Sequence, residues 1–380
     1  MDPFLACASS KQDELLAFLR AMVELETPSR DEKAISAFAD LLEAQTLDIA
    51  KIKRVKAPGF GPHLLLEFDL PGKKKRGLVL GLAHSDTVHP VGTLAHMPFA
   101  AKNGRLYGPG VLDIKGGIAI FVYAMRILRE LQVPVQKKVI LQINSDEEIG
   151  SDSSRQLSEK MALQSDVVLV VEPGTGLNGK LKTSRKGTGD YTIKVKGVAS
   201  HAGVDFTAGA SAIVELARQT EMITAFTDLS KGLTVNPGVV SGGTRTNVVA
   251  ENAQLDVDIR IARLKDFGPL DKKFRSLKPI DKRCKLSIEG GLNRPPMERT
   301  KAIGDLFLKA KTLASELGIE LEESSTGGGS DGNFTAALGI PTLDGLGCVG
   351  EGAHTHEENI VLDRVADRTA LVAKLVAALS

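Results

Sequence analysis

Three consecutive acidic residues follow an apolar segment of this chain, and they constrain its fold more than any other feature. The segment KVILQI, residues 138–143, has the composition of a buried strand, and Asp146, Glu147 and Glu148 come just after it. Neighbouring carboxylates repel one another, and burial raises the free energy of each charged form. Such a cluster must therefore either be solvated by water or be compensated by positive charge placed among the acids.

The size and charge of the chain limit the classes of protein to which it can belong. A length of 380 residues exceeds the usual size of one domain and predicts two. Apolar residues make up 42% and charged residues 25%, which is typical of a globular protein. The net charge of +1 gives no electrostatic basis for binding nucleic acid.

The three cysteines and the N-terminal segment indicate the cellular compartment of the protein. Cys7, Cys284 and Cys348 are far apart and form no CxxC pair, which argues against a disulfide framework and against a thiolate metal site. The first 25 residues carry helical periodicity and lack the pattern of a signal peptide. No apolar stretch reaches the length of a membrane span. These features predict a cytoplasmic protein with no membrane association.

Apolar runs that alternate with amphipathic segments predict an α/β fold with a mostly parallel sheet. A first helix is expected over about 11–24, followed by a second that Thr27 or Ser29 would cap. The strands that we expect in this part of the chain are 63–70, 77–84, 138–146 and 166–174, and the helices are 115–132, 153–163, 302–318 and 364–379.

The pattern changes after about residue 186, where segments 189–199 and 253–264 alternate apolar with polar residues, as half-exposed antiparallel strands do. An amphipathic helix over 209–226 lies between them. We therefore predict a discontinuous α/β domain formed by 1–185 and 294–380, interrupted by an inserted α+β domain over 186–293. The glycines near both ends of the insert permit domain closure.

Polar residues collect just after the predicted strands and in one C-terminal loop. The carboxyl ends of parallel strands meet at one edge of an open sheet, so residues that are distant in sequence converge there. A single His, Asp or Glu residue at such a position more often has a structural role. A cluster that contains only these three residue types instead indicates a functional site. The candidates are His84, Asp86, Asp113, Glu147, Glu148, Glu172 and His354.

Imidazole and carboxylate ligands without sulfur suit zinc, with manganese or cobalt as alternatives. Two zinc ions per subunit can each take one histidine and one terminal carboxylate, and share a third carboxylate as a bridge. A further carboxylate is then free to act as general base. His84, His354, Asp113, Glu148 and Glu172 supply the metal ligands in this scheme, Glu147 supplies the base, and Asp86 can accept the second N–H of the His84 ring.

The motifs together resemble the M20 family of metallopeptidases, which includes glutamate carboxypeptidase, acetylornithine deacetylase and succinyl-diaminopimelate desuccinylase. The matching segments, in family order, are HSDTVHP, GPGVLDIKGG, SDEEIGS, VVEPG, GVASHAG and TGGGSDGN. The resemblance covers essentially the whole chain, including the insert, and it implies a two-zinc catalytic domain with an inserted lid or dimerisation domain.

The resemblance also implies a role for each candidate. His84 and Glu172 would hold one zinc, Glu148 and His354 the other, and Asp113 would bridge both. Glu147 would be the general base, Asp86 would orient His84, and His201 in GVASHAG would stabilise the oxyanion. A surface histidine in a turn is the alternative for His201. His354 fits the family pattern better than His356, which is then solvated or supports the site from outside the ligand set.

The residues around the expected substrate resemble the glutamate carboxypeptidase branch. An arginine at 294 would clamp the substrate α-carboxylate, because its planar fork binds carboxylates bidentately. The positions that match this branch are Lys180, Asn247, Arg260, Arg294, Thr326 and Gly329. We therefore expect release of a C-terminal amino acid, glutamate above all, from a small peptide or N-acyl amino acid.

Two other functions stay open. Residues 184–187, SRKG, look more like the deacylase branch, in which Arg185 or Lys186 would add a cation to the pocket or be solvated at the domain hinge. This alternative predicts an N-acetyl or N-succinyl amino acid as substrate. The other alternative is a metal-binding or carboxylate-binding protein without catalysis, which the presence of Glu147 and the complete ligand set argues against. The insert permits a homodimer or a monomer.

Overall fold

Contacts divide the chain into two compact units in the computed structural model, which describes residues 2–73 and 75–380. The first unit comprises Met1–Ser184, Arg299–Thr326 and Ser330–Ser380, and the second comprises Arg185–Glu298 and Gly327–Gly329. The predicted insert, 186–293, overlaps the second unit. Its role as a lid or dimerisation domain stays a prediction.

The helices are distributed over both units. They are α1 (Pro3–Ser10), α2 (Gln12–Glu24), α3 (Glu32–Thr46), α4 (Gly116–Glu130), α5 (Arg155–Ala162), α6 (Ala212–Thr224), α7 (Phe267–Arg275), α8 (Lys301–Glu316), α9 (Gly332–Ala337) and α10 (Val365–Leu379).

The strands are short except in the second unit. They are β1 (Ala50–Val55), β2 (His63–Phe68), β3 (Leu78–His84), β4 (Ala100–Lys102), β5 (Arg105–Tyr107), β6 (Lys138–Asn144), β7 (Val167–Val170), β8 (Leu181–Arg185), β9 (Gly187–Lys196), β10 (Thr234–Gly242), β11 (Asn252–Ile261), β12 (Lys285–Arg294), β13 (Glu323–Thr326), β14 (Thr342–Leu343), β15 (Gly350–Glu351) and β16 (Asn359–Val361).

The main sheet of the first unit is mixed, with three parallel and two antiparallel strand pairs. Its strand order is β1-β2-β6-β3-β7-β14. The pairs β6–β3, β3–β7 and β7–β14 are parallel, whereas β1–β2 and β2–β6 are antiparallel. The carboxyl ends of β6, β3 and β7 therefore lie side by side at one edge of the sheet.

Helix α4 is deeply buried in the first unit, because it is apolar on nearly all sides. Its first turn approaches the end of β7 so closely that a Cβ atom at Gly117 would lie 2.0 Å from the carbonyl oxygen of Val171. A side chain at Gly117 would push the helix away. The glycine pair after Asp113 thus allows the turn before α4 to lie next to Glu172.

A small antiparallel sheet joins two distant loops of the first unit. Its order is β15-β16-β5-β4, and β16 pairs with β5 through the register Ile360↔Leu106. The loop between β15 and β16 carries His354, and β5 leads into the turn that carries Asp113. Pairing of these strands places the two residues near each other.

The second unit is an antiparallel sheet of order β10-β11-β9-β12 packed against helices. Alternate residues of β9 and β11 are buried, as the predicted period of two requires. The buried face packs on α6 and α7, where the rings of Tyr191 and Phe274 stack with centroids 3.9 Å apart.

The start of the chain departs from the prediction in two respects. The helix predicted over about 11–24 is present as α2, but a further helix, α1, precedes it. Asp31, not Thr27 or Ser29, caps α3 by accepting the N–H of Ala34 at 2.9 Å. The hydroxyl of Thr27 instead donates to the carbonyl of Ser85, and that of Ser29 donates to Asp86. Both hydroxyls are used in tertiary contacts with the segment that follows β3.

Two further expectations concern the cysteines and the possibility of a membrane-spanning helix. Cys7, Cys284 and Cys348 are all buried and free. Within residues 2–73 and 75–380, every helix is too short or too polar to cross a lipid bilayer.

Candidate metal centre

The five predicted ligands lie together at the carboxyl edge of the main sheet. His84 is the last residue of β3, Glu148 follows β6 by four positions, and Glu172 follows β7 by two. Because β6, β3 and β7 are adjacent parallel strands, their ends bring these three side chains to one place. Asp113 arrives from the turn before α4, and His354 from the loop between β15 and β16.

These residues form two groups that share Asp113. His84, Asp113 and Glu172 make one group, and Asp113, Glu148 and His354 make the other. Within each group, one potential ligand atom from each residue lies within 4.8 Å of the others. Each group thus offers one imidazole nitrogen and two carboxylates.

Asp113 uses its two oxygens separately. Nε2 of His84 lies 3.2 Å from Oδ1, and Nε2 of His354 lies 3.3 Å from Oδ2. The second imidazole also lies 3.2 Å from Oε2 of Glu148, and the first lies 3.6 Å from Oε1 of Glu172. A carboxylate between two imidazoles has the arrangement that a bridging ligand needs.

The pKa values show that this cluster requires positive charge. Hydrogen bonds with Asp113 and Glu148 raise the pKa of His354 to about 11. Burial opposes the charge on His84, yet hydrogen bonds with Asp113, Asp86 and Glu172 outweigh it and place that pKa well above its usual value. Protons on the imidazoles thus compensate the acids when no metal is bound.

Glu148 provides a separate indication that the cluster fits a cation. Burial raises the pKa of its carboxyl group, and the hydrogen bond with His354 offsets only part of that shift. Its Oε1 is buried and has no hydrogen-bond partner among the described residues. A buried acceptor without a donor is costly, and a metal ion would supply the missing interaction. The residues therefore fit a divalent metal.

Asp86 contacts the Nδ1 atom of His84 with both its main chain and its side chain. Nδ1 of His84 lies 2.9 Å from the main-chain oxygen of Asp86 and 3.5 Å from its carboxylate. The carboxylate accepts the N–H groups of Glu147 and Glu148 at 3.1 and 3.2 Å. Asp86 therefore orients the imidazole with its backbone and fixes the acidic turn with its side chain.

Glu147 lines a small cavity beside the first group. The cavity has a volume of about 10 Å³, and His84, Glu172 and Asp331 also line it. This volume is close to the smallest that holds one water molecule. Glu147 is thus placed beside a space of the size that a reacting water would need.

Two residues that sequence reasoning missed hold the acidic turn in place. Ser29 donates to Oδ2 of Asp86 at 2.7 Å. Asp331 accepts from Nδ2 of Asn144 and from the hydroxyl of Ser151, both at 2.5 Å, at either end of the loop that carries Glu147. Asp331 belongs to the motif TGGGSDGN, so that motif could have indicated it.

The predicted oxyanion and substrate-binding residues lie outside the two ligand groups. His201 and Asn247 are adjacent in the second unit, where the N–H of Ala202 donates to the carbonyl of Asn247 at 3.0 Å. Arg294 lies against Gly329, and Arg260 forms an ion pair with Asp258.

In the first unit, Lys180 forms an ion pair with Glu322 at 2.5 Å, and Thr326 ends β13. His356 is exposed and belongs to neither metal group.

The metal-free protein should lose stability as the pH rises. The pKa of His354 is about 11 in the folded chain and 6.5 in an unfolded one, so its proton stabilises the fold fully below pH 6.5. That contribution is lost as the pH rises toward 11. The melting temperature of the chelator-treated protein should therefore fall more steeply over this range than that of His354→Asn, measured by calorimetry.

Metal should remove this difference, because a bound ion replaces the proton. Parallel curves for the metal-free protein and the variant would show that His354 does not carry the proton.

Three comparisons place the chain among known proteins. The model of peptidase family M20/M25/M40 matches residues 81–378. Carboxypeptidase G2 of Pseudomonas sp. (strain RS-16) is 30% identical over 376 residues, which cover 97% of this chain and 90% of that protein. Succinyl-diaminopimelate desuccinylase of Parvibaculum lavamentivorans is 30% identical over 302 residues, or 73% of each chain.

The fold is also that of a solved structure. Aminopeptidase PepT of Bacillus cereus superposes with a TM-score of 0.81 at 22% identity, over 96% of this chain and 98% of that one. The family match covers most of the chain and includes all five residues of the two ligand groups. The chain belongs to the M20 peptidase family and is a metal-dependent hydrolase of the metallopeptidase and amidohydrolase type.

Proposed function

We propose that the chain is a zinc-dependent carboxypeptidase that releases a C-terminal amino acid, glutamate above all, from small peptides or N-acyl amino acids. The observation that carries the proposal is the position of Asp113 between two histidine-carboxylate groups. The similarity to carboxypeptidase G2 over 97% of the chain supports the substrate class. Amide hydrolysis at paired metal ions is the chemistry that such a site performs.

Two zinc ions, or manganese or cobalt in their place, are assigned to the two groups. His84 and Glu172 would hold one ion, Glu148 and His354 the other, and Asp113 both. The bound ions would lower the pKa of a water molecule and polarise the scissile carbonyl group.

Glu147 is assigned as the general base. Its carboxylate takes the proton of the attacking water and later delivers it to the leaving nitrogen. The small cavity that Glu147 shares with His84 and Glu172 supports this role. The bond from its own N–H to Asp86 fixes its backbone, so the carboxylate is held beside the cavity.

His201 is assigned to stabilise the oxyanion. Its Nδ1 accepts the N–H groups of Gly203 and Val204, both at 3.1 Å. Nδ1 therefore carries no proton, and the neutral ring must carry it on Nε2. The residue is exposed, so this Nε2–H group is free to donate to the negative charge that develops on the scissile carbonyl.

Arg294 is assigned to the α-carboxylate of the substrate. Its side chain is 5% exposed, and its Cδ would lie 2.9 Å from a Cβ atom at Gly329, so glycine at that position makes room for the arginine. The other two cations assigned to the pocket are Lys180, which pairs with Glu322, and Arg260, which pairs with Asp258. Asn247 and Thr326 complete the assigned set.

The alternative is a deacylase that removes an N-acetyl or N-succinyl group. The 30% identity to succinyl-diaminopimelate desuccinylase supports it, and the metal centre fits both reactions. Arg185 is one of the residues in which the sequence looks more like the deacylase branch than the carboxypeptidase branch. Its guanidinium donates to the carbonyls of Gly328 and Gly329 at 3.2 and 2.9 Å, so it holds the loop beside Arg294 in place.

Two features of the second unit support a homodimer. Val239 and Val240 on edge strand β10 are 61% and 70% exposed, and Ile213 of α6, which lies beside Val240, is 47% exposed. An edge strand with unpaired backbone groups and apolar side chains is a surface suited to a second copy. For location, three buried free thiols fit a reducing compartment, and we assign the cytoplasm.

Glu147→Gln should retain both metal ions and lose turnover by roughly 100-fold to 10,000-fold, because only proton transfer is removed. Glu148→Gln is the matched comparison and should lose one ion, because it removes a ligand charge. Metal content by emission spectrometry and kcat by amide hydrolysis give the two readouts. Near-normal turnover in Glu147→Gln would show that another group is the base.

A hydrolysis panel with zinc-loaded protein tests the substrate class. It compares N-acyl-glutamate, neutral C-terminal dipeptides, N-acetylornithine and N-succinyl-diaminopimelate. The proposal predicts the highest kcat/KM for N-acyl-glutamate. Preference for either of the last two substrates would establish the deacylase instead.

The same panel tests the clamp at Arg294. Arg294→Ala should raise KM for N-acyl-glutamate by about 10-fold to 100-fold and leave zinc content unchanged, because a bidentate charged contact is lost. Arg263→Ala is the control, since Arg263 pairs with Asp266 on the same unit. An unchanged KM in Arg294→Ala would remove this residue from the pocket.

Sedimentation velocity tests the dimer. Val240→Glu should convert dimer to monomer, because it places a charge in the apolar surface. Leu264→Glu, at a residue 48% exposed on the same unit, should have no effect. A wild-type protein that sediments as a monomer at micromolar concentration would contradict the dimer.

A further inference from the structure

We propose that Glu358 is a positioning residue that sets the geometry of both metal groups. This inference rests on the proposed metal-dependent function. Glu358 belongs to neither ligand group, and its side chain is 1% exposed. A fully buried carboxylate requires strong partners, because burial disfavours its charge. Its partners are therefore informative about its role.

Both oxygens of Glu358 are fully used. Oε1 accepts the N–H groups of Leu112 and Asp113 at 2.8 and 2.9 Å. Oε2 accepts the N–H of Gly110 at 3.0 Å and lies 2.8 Å from Nε2 of His89. Three backbone donors and one imidazole thus converge on a single side chain.

These contacts join three segments that each carry a candidate ligand. His89 follows His84 by five residues, the turn 110–113 ends at Asp113, and Glu358 itself follows His354 by four. One carboxylate therefore links the ligand His84, the shared ligand Asp113 and the ligand His354. Asp113 and His354 both belong to the second group, and Asp113 and His84 to the first.

The turn requires an anion at this place. Gly110 has φ of +71°, and the N–H groups of Gly110, Leu112 and Asp113 all point to one side. Backbone N–H groups of one turn that converge in this way form an anion-binding concavity. A neutral side chain could not accept all four bonds, so the carboxylate is needed to hold the turn.

The position of Asp113 follows from this contact. Its N–H is fixed by Oε1 of Glu358, and its carboxylate lies between Nε2 of His84 and Nε2 of His354. A shift of the turn would move the shared carboxylate relative to both imidazoles. Loss of Glu358 should therefore weaken both metal sites together, although Glu358 touches neither ion.

The test is Glu358→Gln, which keeps size and shape but replaces one oxygen with an NH₂ group that faces N–H donors. We expect zinc affinity to fall by about 10-fold or more at both sites, which is the usual effect of changing a group that supports metal ligands. The measurement is competition against a chromophoric chelator with Zn²⁺ as probe. In the panel assay, kcat should fall while KM changes little.

Glu215→Gln is the matched control. Glu215 is also 1% exposed and accepts two backbone N–H groups, of Ile280 and Asp281 at 2.9 Å each, and one side-chain amide, but it lies in the second unit. The Glu215→Gln variant should lower the melting temperature about as much as Glu358→Gln does, without changing zinc affinity. Equal zinc affinity in wild type, Glu358→Gln and Glu215→Gln would overturn the proposal.

His89→Phe is a milder variant that removes one donor and leaves the three backbone bonds. If Glu358→Gln does not fold, His89→Phe should still weaken zinc binding severalfold, and unchanged zinc affinity in that variant would overturn the proposal. Zinc affinity is measured without substrate. A wild-type protein that binds zinc but cleaves no substrate of the panel would contradict the proposed function only. The positioning role of Glu358 would still be tested by zinc affinity.

Discussion

The carboxylate of Asp113 lies between two imidazoles, 3.2 Å from Nε2 of His84 and 3.3 Å from Nε2 of His354. Around it lie Glu148 and Glu172, with Glu147 beside the same edge of the sheet. Repulsion among these acids must be balanced by positive charge. In the metal-free chain the imidazoles supply it as protons, which is why the pKa values of both histidines are raised. Metal ions can replace those protons, so the acids and the histidines form one charge-balanced unit.

The fold supports this unit with two different devices. Parallel strands β6, β3 and β7 end side by side. Three segments that carry candidate ligands, although distant in sequence, are thereby brought to one edge of the sheet. Two further carboxylates then accept backbone N–H groups of the ligand-bearing turns. Asp86 accepts those of Glu147 and Glu148, and Glu358 accepts those of the turn before α4. Asp86 and Glu358, which belong to neither candidate ligand group, thus hold the turns that carry candidate ligands.

The five candidate ligands could be identified from the sequence because their signal is local. Strand ends followed by His, Asp and Glu can be identified from periodicity and residue type alone, and the structure brings all five residues together. The cap of α3 could not be found in the same way. Thr27, Ser29 and Asp31 are all good capping residues, and only the path of the segment after β3 decides that the two hydroxyls bond there instead.

Two other differences have the same tertiary origin. The two antiparallel pairs at one side of the main sheet depend on how β1 and β2 join it, and β1, with its alternation of Lys and apolar residues, was not predicted. Glu358 stands beside Glu357 in an acidic loop, and nothing in the sequence shows that one is buried and the other exposed. Its hydrogen-bond partners are about 245 to 269 positions away in the chain, so only the fold reveals them.

Anomalous scattering from zinc in crystals of the metal-loaded protein tests the central claim most directly. We expect two strong peaks, one beside His84 and Glu172 and the other beside Glu148 and His354, with Asp113 next to both. A single peak, or peaks at other residues, would contradict the shared role of Asp113.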